Sequence, residues 1–142
     1  MATVQLSDLS FGDLISTDVM IDIRDLLDPN SKTTTAKKIK KGLPTRRLCV
    51  VLVTGSTSIG VTYLATFNRQ TVLPDNLNQN LWYPIKPAEK GDQDFDPLPG
   101  EPNGEAQWAS LRRIQYINGE FDKKSGILPV ASAEVIKAAM HT

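Results

Sequence analysis

Residues 45–67, TRRLCVVLVTGSTSIGVTYLATF, limit what this chain can fold into more than any other stretch. Residues 48–53 are apolar throughout and rich in β-branched side chains, the pattern of a strand covered on both faces. The turn GSTSIG follows, then a second apolar run over residues 61–67. Together they predict a central β-hairpin. With antiparallel pairing, Arg47 at the entrance and Thr66 near the exit lie at the same end. A guanidinium fork matches phosphate geometry and a hydroxyl donates to a phosphate oxygen, so the pair is a candidate phosphodiester seat.

The chain has 142 residues, the length of one domain (1–142), and can bury roughly two-thirds of its unfolded surface without covalent staples. Its single cysteine, Cys49, cannot form an internal disulfide, and its apolar surroundings predict a buried, inert thiol. That usage fits a reducing compartment. The first residues, MATVQLSDLSFGD, lack the basic and apolar regions of a signal peptide, and no apolar run reaches the length of a membrane helix. A soluble, cytoplasmic protein without a membrane partner is the expectation.

Net charge is zero, but the charges are segregated. No Asp or Glu occurs between Pro29 and Pro74, where Lys32, Lys37, Lys38, Lys40, Lys41, Arg46, Arg47 and Arg69 fall. Acidic residues crowd before this stretch, from Asp8 to Asp28, and after it, from Glu89 to Glu105. The basic middle is either a polyanion tether or a solvated loop. The opposite charge of segment 89–104 makes it a candidate to lie over this stretch and block polyanions, in which case its deletion should raise affinity for single-stranded RNA at low salt.

Around the hairpin, FGDLI (11–15) reads as a turn into a first strand. Residues 18–28, DVMIDIRDLLD, fit a strand by Val19, Ile21 and Ile23, or a helical turn by Ile23, Leu26 and Leu27. Residues 30–42 are rich in threonine and lysine and read as a mobile loop. Residues 71–74 suggest a short extended piece, and 81–85, LWYPI, an edge strand marked by Pro84. Residues 86–104 form a long Pro/Gly/acid-rich loop. Order returns over 106–117, and Asn118-Gly119 and Ser125-Gly126 are turn signals. Residues 129–140, PVASAEVIKAAM, predict a closing helix capped by Ser132, with Ala133, Ile136, Ala139 and Met140 on one face. Five or six strands and one helix imply a small barrel capped by a helix.

The order of these pieces resembles the MazF/PemK family, the CcdB-like toxin fold. The matching motifs are Gly12-Asp13-Leu14-Ile15, Arg47 before the run Leu48 to Leu52, Val61-Thr62-Tyr63-Leu64-Ala65-Thr66, Leu111-Arg112, and Gly126-Ile127-Leu128 ahead of the helix. The resemblance covers nearly the whole chain, with two insertions, one before Arg47 and one before Trp108. It implies a mainly β fold, a small SH3-like barrel with a short C-terminal helix and two long loop insertions. It also implies metal-independent, cofactor-free cleavage of single-stranded RNA, in which the 2′-OH attacks the adjacent phosphate and a cyclic phosphate forms. Arg47 then stabilises charge and Thr66 donates a hydroxyl. Arg46, Lys40, Lys41, Arg69 and Arg112 are the candidates for RNA binding. A homodimer and an antitoxin-like protein partner are further implications.

The chain departs from the family at Leu48, where a proline is usual, and at Ala109-Ser110, where some members carry an aspartate. The one histidine, His141, lies at the C-terminal end, and no residue stands out as a general base. These departures favour the alternative, a catalytically inactive SH3-like barrel that binds a protein or nucleic acid. Trp82, Tyr83 and Trp108 suit core anchoring better than base stacking. Of Arg112 and Arg113, adjacent near a strand, at most one serves a site.

Overall fold

The central hairpin forms as the sequence predicts. In the computed structural model, which describes residues 5–26, 30–67, 71–75, 77–91, 95–99 and 106–141, strand β2 (Thr45–Val53) pairs antiparallel with β3 (Ile59–Ala65). Alternation sends side chains of both strands to opposite faces. Cys49, Val51, Val61 and Tyr63 enter one core, and Val50, Leu52 and Leu64 enter another. The first core is completed by Leu73, Leu77, Leu81, Trp82 and Trp108. The second is closed by Leu128, Ala133 and Ile136. A sheet buried on both faces explains why the hairpin strands read as continuous apolar runs.

Five further strands extend the sheet: β1 (Asp13–Val19), β4 (Trp82–Ile85), β5 (Gln107–Ser110), β6 (Gln115–Ile117) and β7 (Phe121–Ile127). Their order is β4-β5-β3-β2-β1-β7, with β6 also on β3, and all of these strand pairs are antiparallel. β4 and β7 end the path and do not pair with each other among the described residues, so the sheet is not a closed barrel. The position of β4 at an end agrees with the edge expected from Pro84, which has no N–H to give a further strand. The C-terminal helix, α2 (Val130–Ala139), packs Ala133 and Ile136 into the second core, as its apolar face predicts. No described helix is long and apolar enough to cross a membrane.

The Gly12-Asp13 pair has a structural reason. Gly12 has φ +90°, and a Cβ there would stand 2.7 Å from the Leu128 carbonyl oxygen. Its N–H donates to Val51 O at 2.9 Å and its C=O accepts from Leu128 N at 2.8 Å, tying β1 to β2 and to the entry of α2. The Asp13 carboxylate accepts from Ser10 N at 2.8 Å and holds the preceding turn.

Four local expectations are corrected. The loop expected over residues 30–42 contains a helix, α1 (Thr34–Lys40). The Thr33 hydroxyl caps it by accepting from Ala36 N at 3.2 Å. Gly42, at φ +72°, stops it: Gly42 N donates to Ile39 O and Leu43 N to Lys38 O, the paired bonds of a Schellman motif. Buried Ala36 and Ile39 give it an inner face. The Ser125-Gly126 turn is instead part of β7, at the place where its register against β1 shifts, between Lys123 and Ile127. Residues 71–74 lie outside any strand, with a bend at 71 and 72. Ser132 does not cap α2, which begins after Pro129; its hydroxyl donates to Pro99 O at 2.9 Å and pins the long loop to the helix.

Candidate functional site

β2 is flanked unevenly. β1 pairs with it at residues 45–50, whereas β3 pairs with it only from Cys49 onward. Beyond Tyr63, β3 follows β5 instead, with Leu64 opposite Ala109 and Ala65 opposite Trp108. The two hairpin strands therefore fork at Cys49 and Tyr63. The fork opens a cleft of about 660 Å³, within the range of small-ligand sites. Arg46, Arg47 and Leu48 line one side and Ala65, Thr66 and Phe67 the other. Across the opening lie Asp25, from a 3-10 turn (Ile23–Asp25), and Ala36 and Ile39 of α1. Ser16, Ser31, Thr33 and Thr35 add hydroxyls to the lining.

Arg47 and Thr66 thus face one cleft, as antiparallel pairing predicts. Arg47 is half-buried, and its Nη1 donates to Arg46 O at 2.9 Å. No carboxylate partners it among the described residues, and burial holds its guanidinium below the ordinary arginine value. A partly desolvated, unpaired cation is poised for an anion, since a ligand charge would supply the compensation the fold omits. The half-buried Thr66 has a hydroxyl with no hydrogen-bond partner among the described residues.

The other expected cations are placed differently. Arg46 lines the cleft, but its Nη2 donates to Asp122 Oδ2 at 2.6 Å and its Nη1 stands 4.0 Å from Asp18. Lys40 and Lys41 lie outside the lining; Lys40 Nζ donates to Ser31 O at 3.1 Å. Arg112 grips Asp25 with two bonds, Nε to Oδ2 at 3.0 Å and Nη2 to Oδ1 at 2.7 Å. The hydrogen bonds to Asp25 hold its guanidinium above the ordinary value. It lines a second cavity of about 250 Å³ with Asp22, Arg24 and Arg113. Arg69 lies outside the described residues.

Asp25 and Tyr63 border both cavities, and sequence reasoning singled out neither for the site. Asp25 is 7% exposed, and the Tyr63 hydroxyl donates to its Oδ2 at 3.5 Å. Burial first, and the Asp25 charge second, push the Tyr63 phenol well above its ordinary value, so it stays a neutral donor. Asp22 is held well below the usual carboxylate range by its bonds to Arg24, at 2.8 Å and 2.9 Å. Asp25 and Arg112 are 87 positions apart, which no local motif could reveal. Tyr63 carries a weak signal, its alternation with Val61 on the buried face.

No family model, curated protein or solved structure matches the chain. The functional reading rests on the cleft itself. Among the described residues no group of three or more His, Cys, Asp and Glu side chains is placed to hold a metal ion. The described part of the acidic segment does not line the cleft. Glu89 bonds Thr71, Lys90 pairs with Asp96 at 3.3 Å, and Phe95 stacks on Tyr83 at 4.4 Å.

Proposed function

We propose that the cleft seats a phosphodiester of single-stranded RNA, and that the protein is a metal-independent endoribonuclease of the MazF/PemK kind. Its sheet would curl like a small SH3-like barrel with the two edges left apart. The observation that carries the reading is Arg47, half-buried, without a carboxylate partner among the described residues, and facing the same cleft as the unpartnered Thr66 hydroxyl. In this chemistry the ribose 2′-oxygen attacks phosphorus and the bond to the 5′-oxygen breaks. A 2′,3′-cyclic phosphate forms, the 2′ proton passes to solvent, and the departing 5′-oxygen takes up a proton. Arg47 neutralises charge building on the phosphoryl oxygens, and Thr66 donates to one of them.

One observation favours binding without cleavage. Asp25, the carboxylate lining the cleft, is held at both oxygens by Arg112, which disfavours its use as a general base. Without such a base, a contribution of about 10²–10⁴-fold is missing. Incubation of the purified protein with mixed-sequence RNA in EDTA separates the two readings. The ribonuclease reading expects cyclic-phosphate ends that vanish in Arg47→Ala and Thr66→Ala. Intact RNA of retarded mobility supports the binding reading, and RNA neither cut nor retarded rejects both. Sedimentation of the same preparation tests the homodimer that the resemblance implies.

A further inference from the structure

Phe67 follows Thr66 directly and has φ +46°, the one positive φ outside glycine among the described residues. A bulky side chain pays a conformational cost there that glycine or asparagine would largely avoid. Such strain persists when the surroundings hold it, and it clusters at functional sites. The surroundings here are two tryptophans. The Phe67 ring meets Trp82 edge-on, with centroids 4.8 Å apart at 85°, and lies tilted by 47° against Trp108 at 5.8 Å. Trp82 and Trp108 are 2% and 1% exposed and belong to the first core. They brace a ring that is half-buried and lines the cleft.

We propose that Phe67 is a stacking platform for a nucleobase, set beside the phosphate seat formed by Arg47 and Thr66. The inference rests on the reading of the cleft as an RNA phosphate site and narrows its ligand from a bare anion to a nucleotide. An aromatic platform one residue from a phosphate seat presents two unlike surfaces, and a nucleotide carries both complements in one ligand. Every base has a π-face, so the platform gives affinity with little sequence preference. Of the aromatics picked out from the sequence, Trp82 and Trp108 support this ring from the first core, whereas Tyr83 lies in the second core and stacks on Phe95.

The test compares a short 2′-O-methyl RNA, which cannot be cleaved, with an abasic 2′-O-methyl ribose–phosphate oligomer of equal length at fixed salt. Affinity is read by anisotropy and by the emission of Trp82 and Trp108. The expected result is roughly tenfold tighter binding of the base-bearing strand, with a change in tryptophan emission that the abasic strand does not produce. Phe67→Leu, which keeps the apolar contact with the tryptophans, should bring the two strands to equal affinity, and Phe67→Tyr should keep the preference. Arg47→Ala should weaken both strands alike. Equal affinity in the unaltered protein, or a preference that survives Phe67→Leu, overturns the platform and leaves the phosphate seat standing. Binding of neither strand overturns both.

Discussion

The two halves of β2 share one strand and one partner in β1, yet they differ in almost every physical respect. From Cys49 to Leu52 the residues are 0% exposed, and Cys49 and Val50 pair with β1 on one edge and β3 on the other. At Arg46 to Leu48 the side chains are exposed or half-buried, and β3 has already turned away to β5. The closed half contributes stability through burial, at roughly 1.5–3 kcal/mol for each large apolar side chain. The open half gives up that burial and gains a cleft with a cation that no carboxylate pairs among the described residues. The same division separates two arginines. Arg112 is fixed by Asp25, whereas among the described residues Arg47 has only a backbone oxygen.

The sharpest break of this comparison is a pair of truncations. Leu52→Ala should lower unfolding stability by about 2–5 kcal/mol in denaturant titration, because the emptied site sits among packed neighbours. Leu48→Ala should cost roughly 1 kcal/mol or less. Similar losses at both positions would erase the distinction between the halves. The arginines come next. Arg112→Ala leaves the Asp25 carboxylate buried without its partner. Because the Arg112 side chain is 20% exposed, the loss should fall somewhat below the roughly 3–5 kcal/mol of a fully buried pair. Arg47→Ala should shift stability by only about 0.5 kcal/mol in either direction while abolishing RNA binding or cleavage.

A third measurement concerns Cys49, where the fork begins. Burial pushes its thiol up to about 12 from an ordinary value near 9. Between those pH values the unfolded chain binds fewer protons than the folded one, so stability is complete below about pH 9 and falls as pH rises toward 12. The slope attributable to one such group approaches about 1.4 kcal/mol per pH unit. Cys49→Val should flatten this alkaline limb, and an unchanged limb would remove Cys49 from the account. The smallest effect is expected at Lys41, exposed and outside the cleft lining. Lys41→Ala should weaken RNA binding only slightly and alike across sequences, as the loss of one diffuse charge does, with a shallower salt dependence. A loss as large as that of Arg47→Ala would move the site onto α1.

Much of the fold was legible because its signals are local. The hairpin strands announce themselves by apolar runs rich in β-branched residues, α2 by its apolar face, and the first strand by a glycine that the Leu128 carbonyl makes necessary. The helix α1 was hidden by composition. Its threonines and lysines suggest a loop, yet Thr33 is a cap, Gly42 is a stop, and Ala36 and Ile39 are three apart on one face. Ser125-Gly126 misleads in the opposite direction, since β7 runs through it and only shifts its register against β1 there. At the site, Arg47 and Thr66 could be placed together from antiparallel pairing alone. The fates of Arg112 and Arg46 could not, because their acids, Asp25 and Asp122, lie 87 and 76 positions away.

The bond between Asp25 and Arg112 also bears on timing. A ribosome that has delivered every residue of the hairpin has delivered Asp25 but not yet Arg112. Until the later residue emerges, the carboxylate has strong reason to stay in water, and the turn that carries it cannot settle at the cleft wall. The nascent chain therefore carries the cations of the cleft before it can fix this wall of the pocket.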